Sequence, residues 1–252
     1  MTFYELYKGL EAHFPKTLSC DWDNDGIMCA DELNKPVKKV LIALDVTDEV
    51  VNFAIKKGYD TIISHHPLVF KAQDRLCECG YVQRKLISLV KNGVRVMSFH
   101  TRLDAASGGV NDVIAGKVGF SRVEKTLLDP IARICELDDA MPIQVFAKKV
   151  KKTFLAPFVK YIGKRDVKQV YVVGGDGKDS IDDAIESGAD TLLTGDTSYN
   201  SMLDADEKGI NIVEVGHFYS ENPVCEALEN IVNILDDKIK TEIYTSNKIE
   251  VI

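Results

Sequence analysis

The sequence predicts an α/β protein with two related α/β units, largely parallel sheets, and a metal site in the cleft between the units. Three features lead to this prediction: an internal repeat, strands that alternate with helices, and histidines and carboxylates that follow the strands. The 252 residues are enough for one large domain or two small ones.

The internal repeat decides the predicted architecture. Residues 39–64 align without a gap on residues 169–194. Identical pairs recur at equal spacing: Ala54-Ile55 with Ala184-Ile185, Gly58 with Gly188, and Asp60-Thr61 with Asp190-Thr191. Each copy predicts a β-branched strand, an amphipathic helix closed by a glycine, and a second short apolar strand.

The match continues on both sides of this core. Opening amphipathic helices are predicted at 3–15 and 143–157, and third strands at 93–100 and 209–216, each strand after a helix. Strands that alternate with helices imply parallel pairing and right-handed crossovers.

The extent of the two copies gives the predicted domain boundaries. Residues 1–124 form the first α/β unit, 125–140 a connecting segment, and 141–252 the second unit, which contributes His217 and Glu221 to a shared metal site. The only strand pattern in the connection starts at about Ala132.

Composition excludes several classes of protein. No apolar run approaches the ~18–20 residues that span a bilayer, and the first residues lack the pattern of a signal peptide, so a cytoplasmic location is expected. The net charge of −8 argues against nucleic acid and anionic lipid as partners. The six scattered cysteines are expected to be reduced, with Cys77-Glu78-Cys79 in a surface loop.

Four of the five histidines fall in three turns that follow predicted strands. His65 and His66 follow one strand, His100 and Asp104 follow the next, and the third leads into His217-Phe218-Tyr219-Ser220-Glu221. Ligands of open parallel sheets collect at the carboxyl ends of the strands. The candidate residues of both units are therefore expected to meet in one cleft.

The residue types indicate metal-assisted hydrolysis. Imidazole and carboxylate ligands suit zinc, iron, manganese or cobalt, and the absence of thiolates argues against a closed structural zinc site. Adjacent histidines at a turn can serve two metals, and Glu221 shares a helix face with His217, where it could bridge them. His65, His66, Asp104, His217 and Glu221 are thus the predicted ligands of two divalent ions.

Other residues have two readings each. His100 could be a general acid or a partner of a metal ligand, or only structural. Trp22 could line the cleft, but core packing is the favoured reading. The glycine-rich segment 174–177 resembles a phosphate-binding turn, although a tight turn before a helix fits better because no Lys-Ser/Thr follows.

Six short motifs resemble those of a known family, the YbgI-like dinuclear metal-centre proteins, also called GTP cyclohydrolase I type 2 homologues. The resemblance covers essentially the whole chain. It is carried by Trp22-Asp23-Asn24-Asp25-Gly26, Ser64-His65-His66-Pro67-Leu68, His100-Thr101-Arg102-Leu103-Asp104, Gly108-Gly109-Val110-Asn111-Asp112, Thr194-Gly195-Asp196 and Gly216-His217-Phe218-Tyr219-Ser220-Glu221.

The resemblance implies a toroidal homohexamer, a trimer of dimers, with two metals per subunit. It implies His66 and Asp104 on one metal, His65 and His217 on the other, and Glu221 bridging both. The chain departs from the family pattern at Gly26–Ala30 and at Asn200, where many members carry a histidine nearby, and it lacks the long insert of larger members.

The predicted function is a metal-dependent hydrolase of the GTP cyclohydrolase I type 2 kind, in which a metal-activated hydroxide attacks a small, nucleotide-like substrate. His100 is its candidate catalytic residue. A non-catalytic metal-binding or regulatory protein and a phosphoesterase are the alternatives. Residue types alone select neither the metal nor the substrate.

Overall fold

The computed structural model describes residues 1–251, which divide into two compact units. The first unit comprises Met1–Ala106 and Cys225–Ser246, and the second comprises Ser107–Val224 with the segment that begins at Asn247. Both units are α/β, as the sequence predicted.

The first unit is built on a five-stranded sheet in the order β1-β4-β3-β2-β11. In chain order its elements are α1 (Phe3–His13), a 3₁₀ turn (Lys16–Leu18), β1 (Gly26–Cys29), β2 (Lys39–Ala43), α2 (Asp48–Lys57), β3 (Thr61–Ser64), α3 (Tyr81–Lys91), β4 (Arg95–Ser98), α4 (Thr101–Ala105), and, after the second unit, α10 (Val224–Leu235) and β11 (Lys240–Tyr244). Strands β4, β3, β2 and β11 are parallel, and only β1 is antiparallel to its neighbour.

The second unit is built on a six-stranded sheet in the order β5-β6-β8-β9-β10-β7. Its elements are α5 (Val110–Val118), β5 (Arg122–Lys125), β6 (Arg133–Pro142), α6 (Ile143–Thr153), β7 (Lys160–Ile162), β8 (Asp166–Asp176), α7 (Ile181–Glu186), β9 (Thr191–Asp196), α8 (Tyr199–Glu207), β10 (Asn211–Glu214) and α9 (His217–Glu221).

The expectation of largely parallel sheets is met in the first unit but only partly in the second. Strands β8, β9 and β10 are parallel, whereas β5, β6 and β7 add antiparallel pairs at the two edges. Strand β6, most of which lies in the predicted connection, follows β5 without the crossover helix that parallel pairing requires. The second sheet is therefore mixed.

The internal repeat is visible as two matching strand–helix–strand segments, β2-α2-β3 and β8-α7-β9. Their shared aspartates have the same function. Asp60 Oδ2 accepts hydrogen bonds from the backbone N–H groups of Lys38 and Lys39, and Asp190 Oδ2 accepts those of Lys168 and Gln169. The spacing shared by the two copies thus places each aspartate, at the end of its crossover, beside the start of the first strand of that copy.

The glycine shared by the two copies also has the same structural role in each copy. Gly58 and Gly188 follow helices α2 and α7 with φ of +70° and +80°, the left-handed conformation that ends a helix. Apolar side chains of each helix then pack on its own sheet, around residues such as Ala54 and Ala184, which are fully buried. Within residues 1–251, no helix has the length and apolar content needed to cross a membrane.

The boundaries 1–124, 125–140 and 141–252 follow the repeat and remain a prediction. The compact units have other limits because strand β11, late in the chain, pairs in parallel with β2 of the first unit. Its pattern, Lys-Thr-Glu-Ile-Tyr, is too short and too polar to reveal its partner from sequence.

Candidate metal centre

Two adjacent histidines follow strand β3 in the first unit. His65 is fully buried, and its Nδ1 lies 2.9 Å from the carbonyl oxygen of Phe99. The Nδ1 of His66 lies 2.8 Å from Oδ1 of Asp45, which follows strand β2. The two rings are directed apart by different anchors, although their centroids are only 4.9 Å apart.

The neighbouring strand β4 contributes His100 and Asp104. His100 precedes helix α4 with non-helical backbone angles, and Asp104 lies on the helix itself. Ligand nitrogens of His65, His66 and His100 all lie within 4.8 Å of one another, so this group could hold a metal ion. Asp104 Oδ1 lies 3.6 Å from Nε2 of His65.

Asp23 fixes the position of His100. Its buried carboxylate accepts hydrogen bonds from His100 Nδ1 at 2.9 Å, Thr101 N at 3.0 Å and Thr101 Oγ1 at 2.6 Å. Burial by itself raises the pKa of Asp23, but the hydrogen bonds from His100 and Thr101 outweigh it and lower the pKa to about 2. Asp23 is therefore ionised and fixes the orientation of the His100 ring.

The predicted core position of Trp22 is wrong. Its side chain is 64% exposed, and its ring packs edge-on against His100, with 6.1 Å between the centroids. Phe70 packs on His100 in the same manner at 6.1 Å. The indole thus lines the surroundings of the histidines, which is the reading that the sequence analysis ranked second.

The second unit places His217 and Glu221 together on helix α9. Their four-residue separation brings His217 Nε2 to 3.0 Å from Glu221 Oε2, as the helix periodicity predicted. His217 Nδ1 lies 2.9 Å from Oδ2 of Asp196, the last residue of strand β9. Glu221 is buried, whereas His217 is partly exposed.

Two glycines make room for these side chains. Gly175 has φ of +67°, and a Cβ there would lie 2.3 Å from Glu221 Oε1 and 3.4 Å from His217 Nε2. A Cβ on Gly195 would lie 2.5 Å from Ser220 Oγ and 2.9 Å from the Cα of His217. The favoured interpretation of segment 174–177 agrees with the structure: strand β8 ends at Asp176, and a tight turn closed by the hydrogen bond from Ser180 N to the Gly177 carbonyl leads into α7. Gly175, within the strand, also leaves room for the Glu221 carboxylate.

All four histidines share one hydrogen-bonding pattern. Each Nδ1 faces an oxygen that can only accept: the Phe99 carbonyl or the carboxylates of Asp45, Asp23 and Asp196. These contacts favour the tautomer with the proton on Nδ1 and the lone pair on Nε2, although Nε2 of His217 also lies 3.0 Å from a carboxylate oxygen of Glu221. This is the arrangement by which proteins orient histidine ligands of metals, so the donor set fits divalent ions.

The structure thus groups the predicted residues in two sets. His65, His66, Asp104 and the catalytic candidate His100 lie together in the first unit, and His217 and Glu221 lie together in the second. The anchoring roles of Asp45, Asp23 and Asp196 were not predicted from the sequence. Asp45 follows strand β2, Asp196 ends strand β9 and Asp23 follows the lone tryptophan, and these positions were the available signal.

The expectation that all cysteines are reduced is also wrong. Cys77 and Cys79 form a disulfide in the segment between β3 and α3, and within residues 1–251 the structure shows no second disulfide. A single intervening residue allows this bond in a turn, and the spacing rules for metal sites gave no reason to expect it. The surface position of the pair agrees with the predicted loop.

The fold and these groups define an α/β protein with histidine–carboxylate sets able to hold metal ions. The chain belongs to the Duf34/NIF3 (NGG1p interacting factor 3) family, whose model matches residues 1–250. It is 33% identical over 249 residues to a protein of Clostridium perfringens called GTP cyclohydrolase 1 type 2 homolog, with 95% of each chain covered.

Solved structures show the same fold. Staphylococcus aureus hypothetical protein SA1388 superposes with a TM-score of 0.91 and 29% identity, over 100% of this chain and 99% of that one. Protein ybgI superposes with a TM-score of 0.89 at 22% identity, over 98% and 99% of the two chains. The predicted resemblance to the YbgI-like proteins is confirmed.

Proposed function

We propose that His65, His66, Asp104, His217 and Glu221 bind two divalent metal ions and that the protein is a metal-dependent hydrolase. The observation that carries the proposal is the common anchoring of the histidines: each Nδ1 lies against an oxygen, and Nε2 of His65 and of His217 faces the carboxylate of Asp104 or Glu221. Purely structural histidines have no reason to share one tautomer and one orientation.

The division of the ligands between the two ions starts from a contact between two of them in the first unit. Asp104 Oδ1 is 3.6 Å from His65 Nε2, which favours His65 and Asp104 on one ion. This differs from the pairing of Asp104 with His66 that the resemblance implied. We assign His66 and His217 to the second ion and Glu221 to both, because a carboxylate has two oxygens that can bridge.

Divalent ions bound here would supply Lewis acidity toward a substrate oxygen. The protein itself supplies the proton transfer. His100 Nδ1 is bonded to the ionised Asp23, so Nε2 is the atom that can accept or deliver a proton. Trp22 and Phe70 shield this ring on two sides, which keeps its environment partly apolar.

The proposed substrate is a small, nucleotide-like molecule. The support is the name of the relatives, GTP cyclohydrolase 1 type 2 homolog, together with donors suited to polarising an oxygen. Zinc, iron and manganese all accept this ligand set. We further propose a cytoplasmic homohexamer, which native mass spectrometry would test as six copies of the 28.0 kDa chain.

Metal analysis by mass spectrometry on freshly purified protein tests the binding proposal. The wild type should carry about two equivalents of one divalent metal. His65→Ala and Glu221→Gln should lose metal, and His13→Ala, an exposed histidine at the end of α1, serves as the matched control. Full metal content in both ligand variants would refute the assignment.

Activity with the identified metal tests the hydrolase proposal separately. Wild-type protein should open or cleave members of a nucleotide panel, and His100→Ala should reduce turnover while metal content persists. Release of inorganic phosphate would instead identify a phosphoesterase. Tight metal binding without turnover of any substrate would support a metal-binding or regulatory protein.

A further inference from the structure

A cavity of about 560 Å3 adjoins His66 within the first unit. Its walls come from the residues that follow β2, from the segment that follows His66, and from the start of helix α3. The volume lies within the usual ~300–1,000 Å3 range of small-molecule sites. The walls of the cavity away from His66 have no role in the proposed metal site.

Two aromatic rings are exposed at the cavity. Phe70 is 46% exposed and Tyr81 is 67% exposed, and both line the space. Large aromatic side chains that stay exposed around a concave surface offer flat area to a ring-bearing ligand. The Phe70 ring also contacts His100, which connects this surface to the candidate catalytic histidine.

Two lysines give the cavity its cationic character. Lys85 Nζ lies 5.4 Å from the centroid of the Tyr81 ring and donates one hydrogen bond, 2.7 Å long, to the carbonyl of Val46. An ammonium group has three donors, so two remain for a ligand. Lys71 is a second, exposed lysine on the wall.

The one acidic wall residue, Asp45, is bonded to His66. Asp48 does not line the cavity, and its Oδ2 lies 3.7 Å from Nη2 of Arg84. Burial lowers the pKa of Lys85, although Asp48 and Asp45 act in the opposite direction. A bound anion would therefore favour the charged form of Lys85 that burial disfavours.

We propose that this cavity binds a small molecule in which an oxyanion, of the phosphate or carboxylate type, is attached to a planar ring. Lys85 contacts the oxyanion, Tyr81 and Phe70 contact the ring, and His66 marks the end where the reacting group lies. The proposal deepens the proposed function by naming the class of substrate, but the binding itself requires only residues of the first unit.

Calorimetric titration of the full-length protein, as purified, tests this inference with phenyl phosphate, benzoate, phenol and inorganic phosphate as probes. Phenyl phosphate or benzoate should bind more tightly than phenol or inorganic phosphate, and the better of the two identifies the oxyanion. Lys85→Met should weaken its binding about tenfold or more, the usual effect of losing a charge-assisted hydrogen bond.

The control is Lys57→Met. Lys57 is an exposed lysine of the same unit whose Nζ lies 6.0 Å from the centroid of Phe53, so it matches the lysine–aromatic pairing away from the cavity. Its removal should leave binding unchanged. Lys85→Arg should retain most of the binding, which guards against a Lys85→Met variant that fails to fold.

Glu221→Gln separates this inference from the metal proposal. If the oxyanion binds at Lys85, Glu221→Gln should keep phenyl phosphate binding even when its metal content falls. Binding that survives Lys85→Met but disappears in Glu221→Gln would assign the anion to the metals and overturn the inference. Equal affinity for phenol and phenyl phosphate, or equal loss in Lys57→Met, would overturn it as well.

Discussion

Gly175→Ala perturbs the proposed centre without removing any candidate ligand, because it adds only one methyl group at a position that is not itself a ligand. At φ of +67° an alanine costs about 1–2 kcal/mol of stability. The new Cβ would also lie 2.3 Å from Glu221 Oε1, about 1 Å inside van der Waals contact, so the carboxylate must move. Displacing a ligand on this scale should weaken metal binding about 10- to 100-fold.

The matched control is Gly188→Ala in the same unit. Gly188 has φ of +80°, but a Cβ there meets no atom of the described residues within 4 Å. In urea denaturation of metal-free protein, both variants should lose about 1–2 kcal/mol through backbone strain, and Gly175→Ala should lose more because Glu221 is also displaced. Competition with a chelator should show weaker Zn²⁺ binding only for Gly175→Ala. Wild-type affinity in Gly175→Ala, or equal weakening in both variants, would show that the glycine does not make room for a ligand.

Two further predictions concern the cysteines. Denatured, unreduced protein should show four reactive thiols and reduced protein six, because Cys77 and Cys79 are paired; six thiols without reductant would contradict the disulfide. Burial raises the pKa of Cys29 to about 11 and of Cys135 and Cys225 to about 12, from an ordinary value of 9.0. The unfolded chain therefore loses these protons first, and the free energy of unfolding should fall between pH 8 and pH 10 by about 1 kcal/mol per thiol. Cys225→Ala should remove about one such contribution in urea denaturation, and an unchanged pH dependence would argue against its burial.

The segments that belong to the internal repeat were predicted best from the sequence. Gly58 and Gly188 end their helices in the same left-handed conformation, and Asp60 and Asp190 bind equivalent backbone groups, so local chemistry alone fixes these segments. Periodicity likewise placed helices α1 and α6. Such features depend on neighbours in the chain, which a single sequence displays.

Features that depend on distant partners were not visible. Strand β11 has few apolar residues and joins the first sheet only through its pairing with β2, and β7 has three residues at a sheet edge. The carboxylates of Asp45 and Asp196 come next to histidines that are about twenty residues away. Candidate ligand residues stand out in the sequence because their types are chemically distinctive, whereas the aspartates that contact them resemble any surface aspartate.

The two copies of the repeat have diverged where the site is built. His65 and His66 after β3 occupy the positions that Gly195 and Asp196 occupy at the end of β9. In the second unit, helix α9 lies so close to Gly195 that a Cβ would be 2.5 Å from Ser220 Oγ, so no histidine fits there. The position that matches His66 holds Asp196, whose Oδ2 lies 2.9 Å from Nδ1 of His217. In the proposed site, the candidate donors His65 and His66 thus follow a strand end directly, whereas His217 and Glu221 lie on helix α9, which occupies the space that a side chain at Gly195 would need.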